Sequence, residues 1–140
     1  MKFSISRTIF LAVAALVLSS GVYAQELHVQ AKIPFNFMLH DKVYPAGEYV
    51  MRTLTSDNMV WISNANGTTS VLAPLSAGTK SPAKGTKLVF HRVGDTYFLY
   101  QLWVDGYTAA RQFPKSHPET RITLNTPKSK TIVVAANALH

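Results

Sequence analysis

From Leu27 to Leu39 every odd position is apolar: Leu27, Val29, Ala31, Ile33, Phe35, Phe37 and Leu39. His28, Gln30, Lys32, Asn36 and His40 occupy most of the places between or just beyond them. An extended chain turns successive side chains to opposite faces, so a period of two predicts a strand with one face in a core. A helix would scatter the same residues around its circumference. Pro34 lacks the N–H a ladder needs, so a bend, a bulge or a sheet edge is expected there.

The rest of the chain repeats the pattern in shorter pieces. Asp41-Lys42 offers a reversal and Pro45-Ala46-Gly47 a turn before a strand over Glu48 to Leu54. Ser56-Asp57-Asn58 is turn chemistry, and Asn66-Gly67 between Met59–Ser63 and Thr69–Leu75 is a hairpin signal, because both residues accept positive φ. Ala77 to Gly85 reads as an exposed basic loop carrying Lys80 and Lys84. Lys87–Val93 and Thr96–Val104 flank Gly94-Asp95, a two-residue hairpin turn with glycine first. Asp105-Gly106 ends that strand, Thr108–Phe113 is a weaker one, and Thr131–Ala136 is a last β-branched run expected to close the sheet. Ser116-His117-Pro118-Glu119 has the spacing of a helix-opening capping box, which predicts one or two helical turns near 116–122. Together these predict an all-β fold: a small antiparallel sandwich or partly closed barrel of seven to eight strands. Most of the strands are too short for the nine to eleven residues of a membrane-spanning barrel strand, so a soluble domain is expected.

The first twenty-four residues follow another logic. Lys2 and Arg7 precede the apolar run Ile9 to Leu18, and Val22-Tyr23-Ala24 supplies small residues at a cut, the composition of a cleavable export signal. The run is about half of the ~20 residues a spanning helix requires. Cleavage between Ala24 and Gln25 is expected, leaving residues 25–140 as one domain in a secreted or periplasmic location. That domain keeps twelve basic against seven acidic residues, a formal charge of +5, and contains no cysteine. Its fold must hold by packing alone, and its long-range field favours anionic partners such as envelope lipids or acidic glycans.

Residues with chemistry are sparse. His28, His40, His91, His117 and His140 lack metal-ligand spacing and there is no cysteine to join them, so no metal ligand or cofactor is expected. No nucleophile elbow or phosphate-cradling glycine loop appears, and Asp41, Asp57, Asp95 and Asp105 fall in turns. The unusual stretch is Thr96–Val104, where strict alternation sends Tyr97, Leu99 and Trp103 to one face and Phe98, Tyr100, Leu102 and Val104 to the other. A strand apolar on both faces is either covered on both sides or backs its core face with a contact surface. The first is favoured; the second would engage Tyr97, Tyr100, Trp103 and Tyr107 with Arg92 and Arg111 beside them. Aromatics beside cations also suit single-stranded nucleic acid, a partner that export disfavours.

The blocks Ile33-Pro34-Phe35-Asn36-Phe37, Pro45-Ala46-Gly47-Glu48-Tyr49, Lys87 through Leu99, and Phe113-Pro114-Lys115-Ser116 with Glu119 come in an order that resembles a family of small secreted proteins abundant in acidobacterial genomes. Val93 stands where a tyrosine is expected before Gly94-Asp95. The resemblance covers roughly residues 31–119 and implies a signal-bearing single β domain; it carries no activity or ligand.

A secreted, non-enzymatic β-domain of the cell envelope, acting by binding, assembly or self-association, is therefore the leading expectation. One alternative is a periplasmic enzyme whose site is assembled in space on the 87–113 side from His91, Arg92, Asp95 and Arg111. Another is a carrier of small apolar ligands, which needs an internal cavity of about 300 Å³ or more.

Overall fold

A computed structural model describes residues 26–54, 58–81, 83–125 and 128–139. The export signal with its cleavage site at Ala24-Gln25, the turn residues Ser56 and Asp57, Pro82 of the basic loop and His140 lie outside the described residues.

The protein is all-β, a sheet curled into a half-barrel with one short helix. The strands are β1 (Leu27–Ile33), β2 (Phe37–Leu39), β3 (Lys42–Tyr44), β4 (Gly47–Leu54), β5 (Met59–Asn64) and β6 (Ser70–Pro74). There follow β7 (Ser76–Lys80), β8 (Lys87–Val93), β9 (Thr96–Trp103), β10 (Ala109–Gln112), helix α1 (His117–Asn125) and β11 (Lys130–Leu139). The sheet runs β3-β2-β9-β8-β11-β1-β4-β5-β6, and β10 bridges β9 to β7. Eleven strands thus replace the seven to eight expected.

The extra strands arise where long runs break. The alternation that opens the sequence is unbroken in phase, with Val29, Ala31, Ile33, Phe37 and Leu39 all buried, but Pro34–Asn36 divides it. β1 pairs antiparallel with β4 and β11, whereas β2 lies parallel to β9. Pro34 therefore marks the corner at which one alternating run changes sheet neighbours. The Asp41-Lys42 reversal is real but falls one residue earlier: His40 and Asp41 adopt φ of 49° and 62°, and the tight turn sets Leu39 opposite Lys42 and creates β3.

The segment expected as a basic loop begins as a strand. β6 bonds β5, then after buried Leu75 the chain continues as β7, which bonds β10. One ribbon thus serves both margins of the curl. Gly78 permits that approach, because a Cβ there would stand 3.1 Å from the Ala110 carbonyl oxygen. Lys80 and Lys84 are exposed, as a basic segment requires.

Two hairpins form where the sequence places them. Gly94 takes φ of 62° and Val93 faces Thr96 across a two-residue turn. β5 and β6 pair around Asn66-Gly67, but through a four-residue loop closed by Asn64 N–H donating to the Thr69 carbonyl at 3.0 Å, with only Gly67 of the pair at positive φ. Helix α1 opens at the capping box, Ser116 Oγ accepting from Glu119 N–H at 3.3 Å, and runs nine residues, somewhat longer than expected. The final strand does not close the sheet: β11 lies in its middle, between β8 and β1.

The interior is filled by Val29, Ile33, Phe37, Leu39, Tyr49, Met51, Val60, Ile62, Leu88, Phe90, Leu102 and Phe113, each at most 1–2 % exposed. Around Phe37 and Phe90 the rings of Phe35, Tyr44, Tyr49 and Tyr97 form one aromatic cluster with centroids 3.9–5.7 Å apart. Edge-to-face and offset contacts of this kind add to what burial alone contributes.

Candidate functional site

β9 is where the strict alternation fails. Val89 faces Gln101 but Phe90 faces Leu99, so Tyr100 is an extra residue, a bulge that shifts the pleat by one. Tyr97, Leu99, Leu102 and Val104 consequently face the core, while Phe98, Gln101 and Trp103 face outward. Trp103 does not share a face with Leu99, nor Phe98 with Leu102, as unbroken alternation required. The outward side is itself covered: Val89, Val93 and Phe98 are buried where α1 packs against β8.

The six residues offered as a contact surface divide among three places. Tyr97 stacks on Phe35 with centroids 3.9 Å apart, and the Arg92 guanidinium lies 5.5 Å from the Tyr97 centroid while its Nε donates to the Gly94 carbonyl at 3.0 Å. Tyr100 stacks on His91 at 3.8 Å, and Trp103 donates from Nε1 to Gln101 Oε1 at 3.1 Å beneath the Lys87 ammonium. Tyr107 is 41 % exposed at one end of the half-barrel, and Arg111 donates to Asn58 Oδ1 at 3.4 Å.

The residues offered for an enzyme are likewise apart. His91 Nδ1 meets Glu119 Oε1 at 3.1 Å, Arg92 pairs with the fully exposed Asp95 at 3.6 Å, and Arg111 is directed to Asn58. The His91–Glu119 contact ties α1 to β8, and a second pair ties the helix start to the β2–β3 turn. There Asp41 Oδ1 accepts from His117 N–H at 2.8 Å and Oδ2 lies 2.9 Å from His117 Nδ1, holding the Asp41 carboxyl below its ordinary range. Among the described residues no three His, Asp or Glu side chains gather as a metal site would need.

Two other features stand out. The registers place Leu139 opposite His28, His28 opposite Arg52, Arg52 opposite Trp61, and Trp61 opposite Leu72. These five side chains form one straight row on the outer face across β11, β1, β4, β5 and β6, about 19 Å long at the usual strand spacing. Leu139, Trp61 and Leu72 are 42, 43 and 44 % exposed, Arg52 is exposed, and His28 is partly so beside Glu26 Oε2 at 3.4 Å. The sequence signal for Trp61 is its place between Val60 and Ile62: two core residues at i−1 and i+1 force it outward.

The second is an open cleft of about 690 Å³ at the end of the half-barrel. β1 contributes Leu27, the end of β11 contributes Ala136, Ala138 and Leu139, the β9–β10 loop contributes Val104 to Tyr107, and Glu26 with Gly85-Thr86 completes the rim. Asp105 Oδ1 accepts from Gly85 N–H at 3.3 Å and Thr86 Oγ1 accepts from Asp105 N–H at 3.2 Å, so the two loops brace each other. Beneath, between Leu27, Thr53, Leu102 and Arg111, lies a void of about 10 Å³, room for one water and far short of what an apolar ligand needs. No described helix is long and apolar enough to cross a membrane. No family model, no curated protein and no solved structure matches the chain.

Proposed function

We propose that the protein is a non-enzymatic binding domain of the cell envelope, exported by its first 24 residues and docking on an anionic lipid surface through the outer row Leu139–His28–Arg52–Trp61–Leu72. The observation that carries this is the row itself. An exposed tryptophan between leucine and arginine matches the headgroup boundary, where an amphipathic ring can sit half in hydrocarbon and half in water. Arg52 offers a planar fork to phosphate oxygens, and His28 adds charge when protonated. The +5 charge of residues 25–140 supplies the attraction from a distance. The likeness of the 31–119 blocks to small secreted proteins supports export, and the dispersal of His91, Arg92, Asp95 and Arg111 favours binding over catalysis.

The test is co-sedimentation with vesicles of phosphatidylcholine alone or mixed with phosphatidylglycerol, in parallel with an acidic polysaccharide. Binding to the mixed vesicles that falls with salt is expected, weakened about fivefold by Arg52→Gln, since one arginine near an anionic surface contributes ~1 kcal/mol. In a Trp103→Phe background the remaining Trp61 emission should shift to the blue on binding. Absence of vesicle binding, or binding untouched by Trp61→Ala and Arg52→Gln, would sink the proposal. A dimer abolished by Trp61→Ala would assign the row to self-association instead.

A further inference from the structure

The end cleft has a chemistry opposite to that of the chain. Residues 25–140 carry twelve basic and seven acidic side chains, yet the described lining includes two carboxylates, Glu26 and Asp105, and no lysine, arginine or histidine. Its volume of about 690 Å³ falls within the range of small-molecule sites, about 300–1,000 Å³. Its apolar part is Leu27, Val104, Ala136, Ala138 and Leu139, and its aromatic part is the exposed Tyr107.

We propose that this cleft binds a small organic cation, an ammonium group carried on a short apolar body. The carboxylates would attract the ammonium, the Tyr107 ring would offer its negative face, and the apolar wall would accept the body. Among the described residues of the lining an anionic ligand meets two like charges and no cation; His28, whose Nε2 lies 3.4 Å from Glu26 Oε2, sits outside the lining. A metal ion is a poorer match, because among the described residues no third His, Asp or Glu joins the two acids. The backbone ties of Asp105 to Gly85 and Thr86 hold its carboxylate at the rim, so little ordering remains to be done on binding. This inference goes beyond the outer row, with which the cleft shares Leu139 and which it meets through the Glu26–His28 pair, since it concerns the end of the half-barrel and the opposite ligand charge.

Titration calorimetry of the purified protein with hexyltrimethylammonium, hexanol and hexanoate at low salt tests it, the three probes sharing one apolar tail and differing in charge. Saturable binding of the cation, weaker binding of the alcohol and none of the carboxylate is expected. Glu26→Gln and Asp105→Asn should each weaken the cation about threefold and the double variant about tenfold, leaving hexanol unchanged. Asparagine can still accept from Gly85 N–H, so the loop keeps its brace, and unchanged hexanol binding verifies the fold. Tyr107→Leu retains apolar area and should cost the cation about threefold more than the alcohol. If the cation does not bind, if hexanoate binds equally, or if the double variant binds the cation as the parent does, the assignment is wrong.

Discussion

Phe35 and Tyr97 lie face to face, centroids 3.9 Å apart and 14° from parallel, with Phe90 edge-on to Phe35 at 5.0 Å. The stack joins the corner after β1 to the strand that bears the bulge, two parts of the chain more than sixty residues apart. Stacked aromatic pairs are worth about 0.5–1.5 kcal/mol beyond burial. A double-mutant cycle with Phe35→Leu and Tyr97→Leu, read by denaturant unfolding, should return a coupling in that range. Additive single effects would show that the rings merely fill space.

Glu119 is 4 % exposed and its carboxylate meets His91. Glu119→Ala removes the acceptor, opens a gap under α1 and is expected to cost about 1–3 kcal/mol. Glu119→Gln keeps the shape and an acceptor, and should cost less. Urea midpoints of the two variants measure the difference; an alanine variant as stable as the parent would mean the pair contributes nothing to holding the helix.

Burial pushes the Tyr44 and Tyr49 phenols above their ordinary value of 10.0, Tyr49 further opposed by Tyr44. Tyr49 also donates from its hydroxyl to the Pro45 carbonyl at 2.7 Å, a bond only the neutral phenol can make. Since both folded values exceed the unfolded one, this contribution is complete below pH 10 and is lost as pH rises through the raised values. Unfolding free energy should therefore be flat on approach to pH 10 and fall above it. In Tyr49→Phe the fall should be shallower, and the variant should lose about 1 kcal/mol at neutral pH. An alkaline limb identical in the variant would refute the assignment to Tyr49.

How much of this was legible in the sequence depends on the range of the cause. Period-two patterning and turn residues are local, and they fixed the all-β class, the β8–β9 hairpin and the capped start of α1. The recognisable blocks also have a physical role: Asn36 Oδ1 accepts from Ala46 N–H at 2.9 Å and Phe37 packs edge-on to Tyr49, so the blocks at 33–37 and 45–49 meet in the fold. What escaped was non-local. The Tyr100 bulge is set by a neighbouring strand's register, so alternation alone put Trp103 and Leu102 on the wrong faces. The placement of β11 in the sheet's middle, and the row from Leu139 to Leu72, exist only once five strands are in register.

Gly78 illustrates the same dependence in the ribbon that serves both margins of the curl. A Cβ at this position would lie 3.1 Å from the Ala110 carbonyl oxygen and 3.2 Å from Ala110 Cβ, so β7 could keep its bonds to β10 only by pushing that strand aside. Replacing a strand glycine by alanine ordinarily stabilises, by about 0.5–1 kcal/mol, because the unfolded chain loses freedom. Here crowding should reverse the sign, and Gly78→Ala is expected to destabilise by about 1–3 kcal/mol. Thr79→Ser, exposed on the same strand, is the control and should change little. Thermal unfolding of the three proteins decides the matter: a Gly78→Ala variant as stable as the parent would mean that β7 and β10 have room to separate, and that the glycine is not what lets them meet.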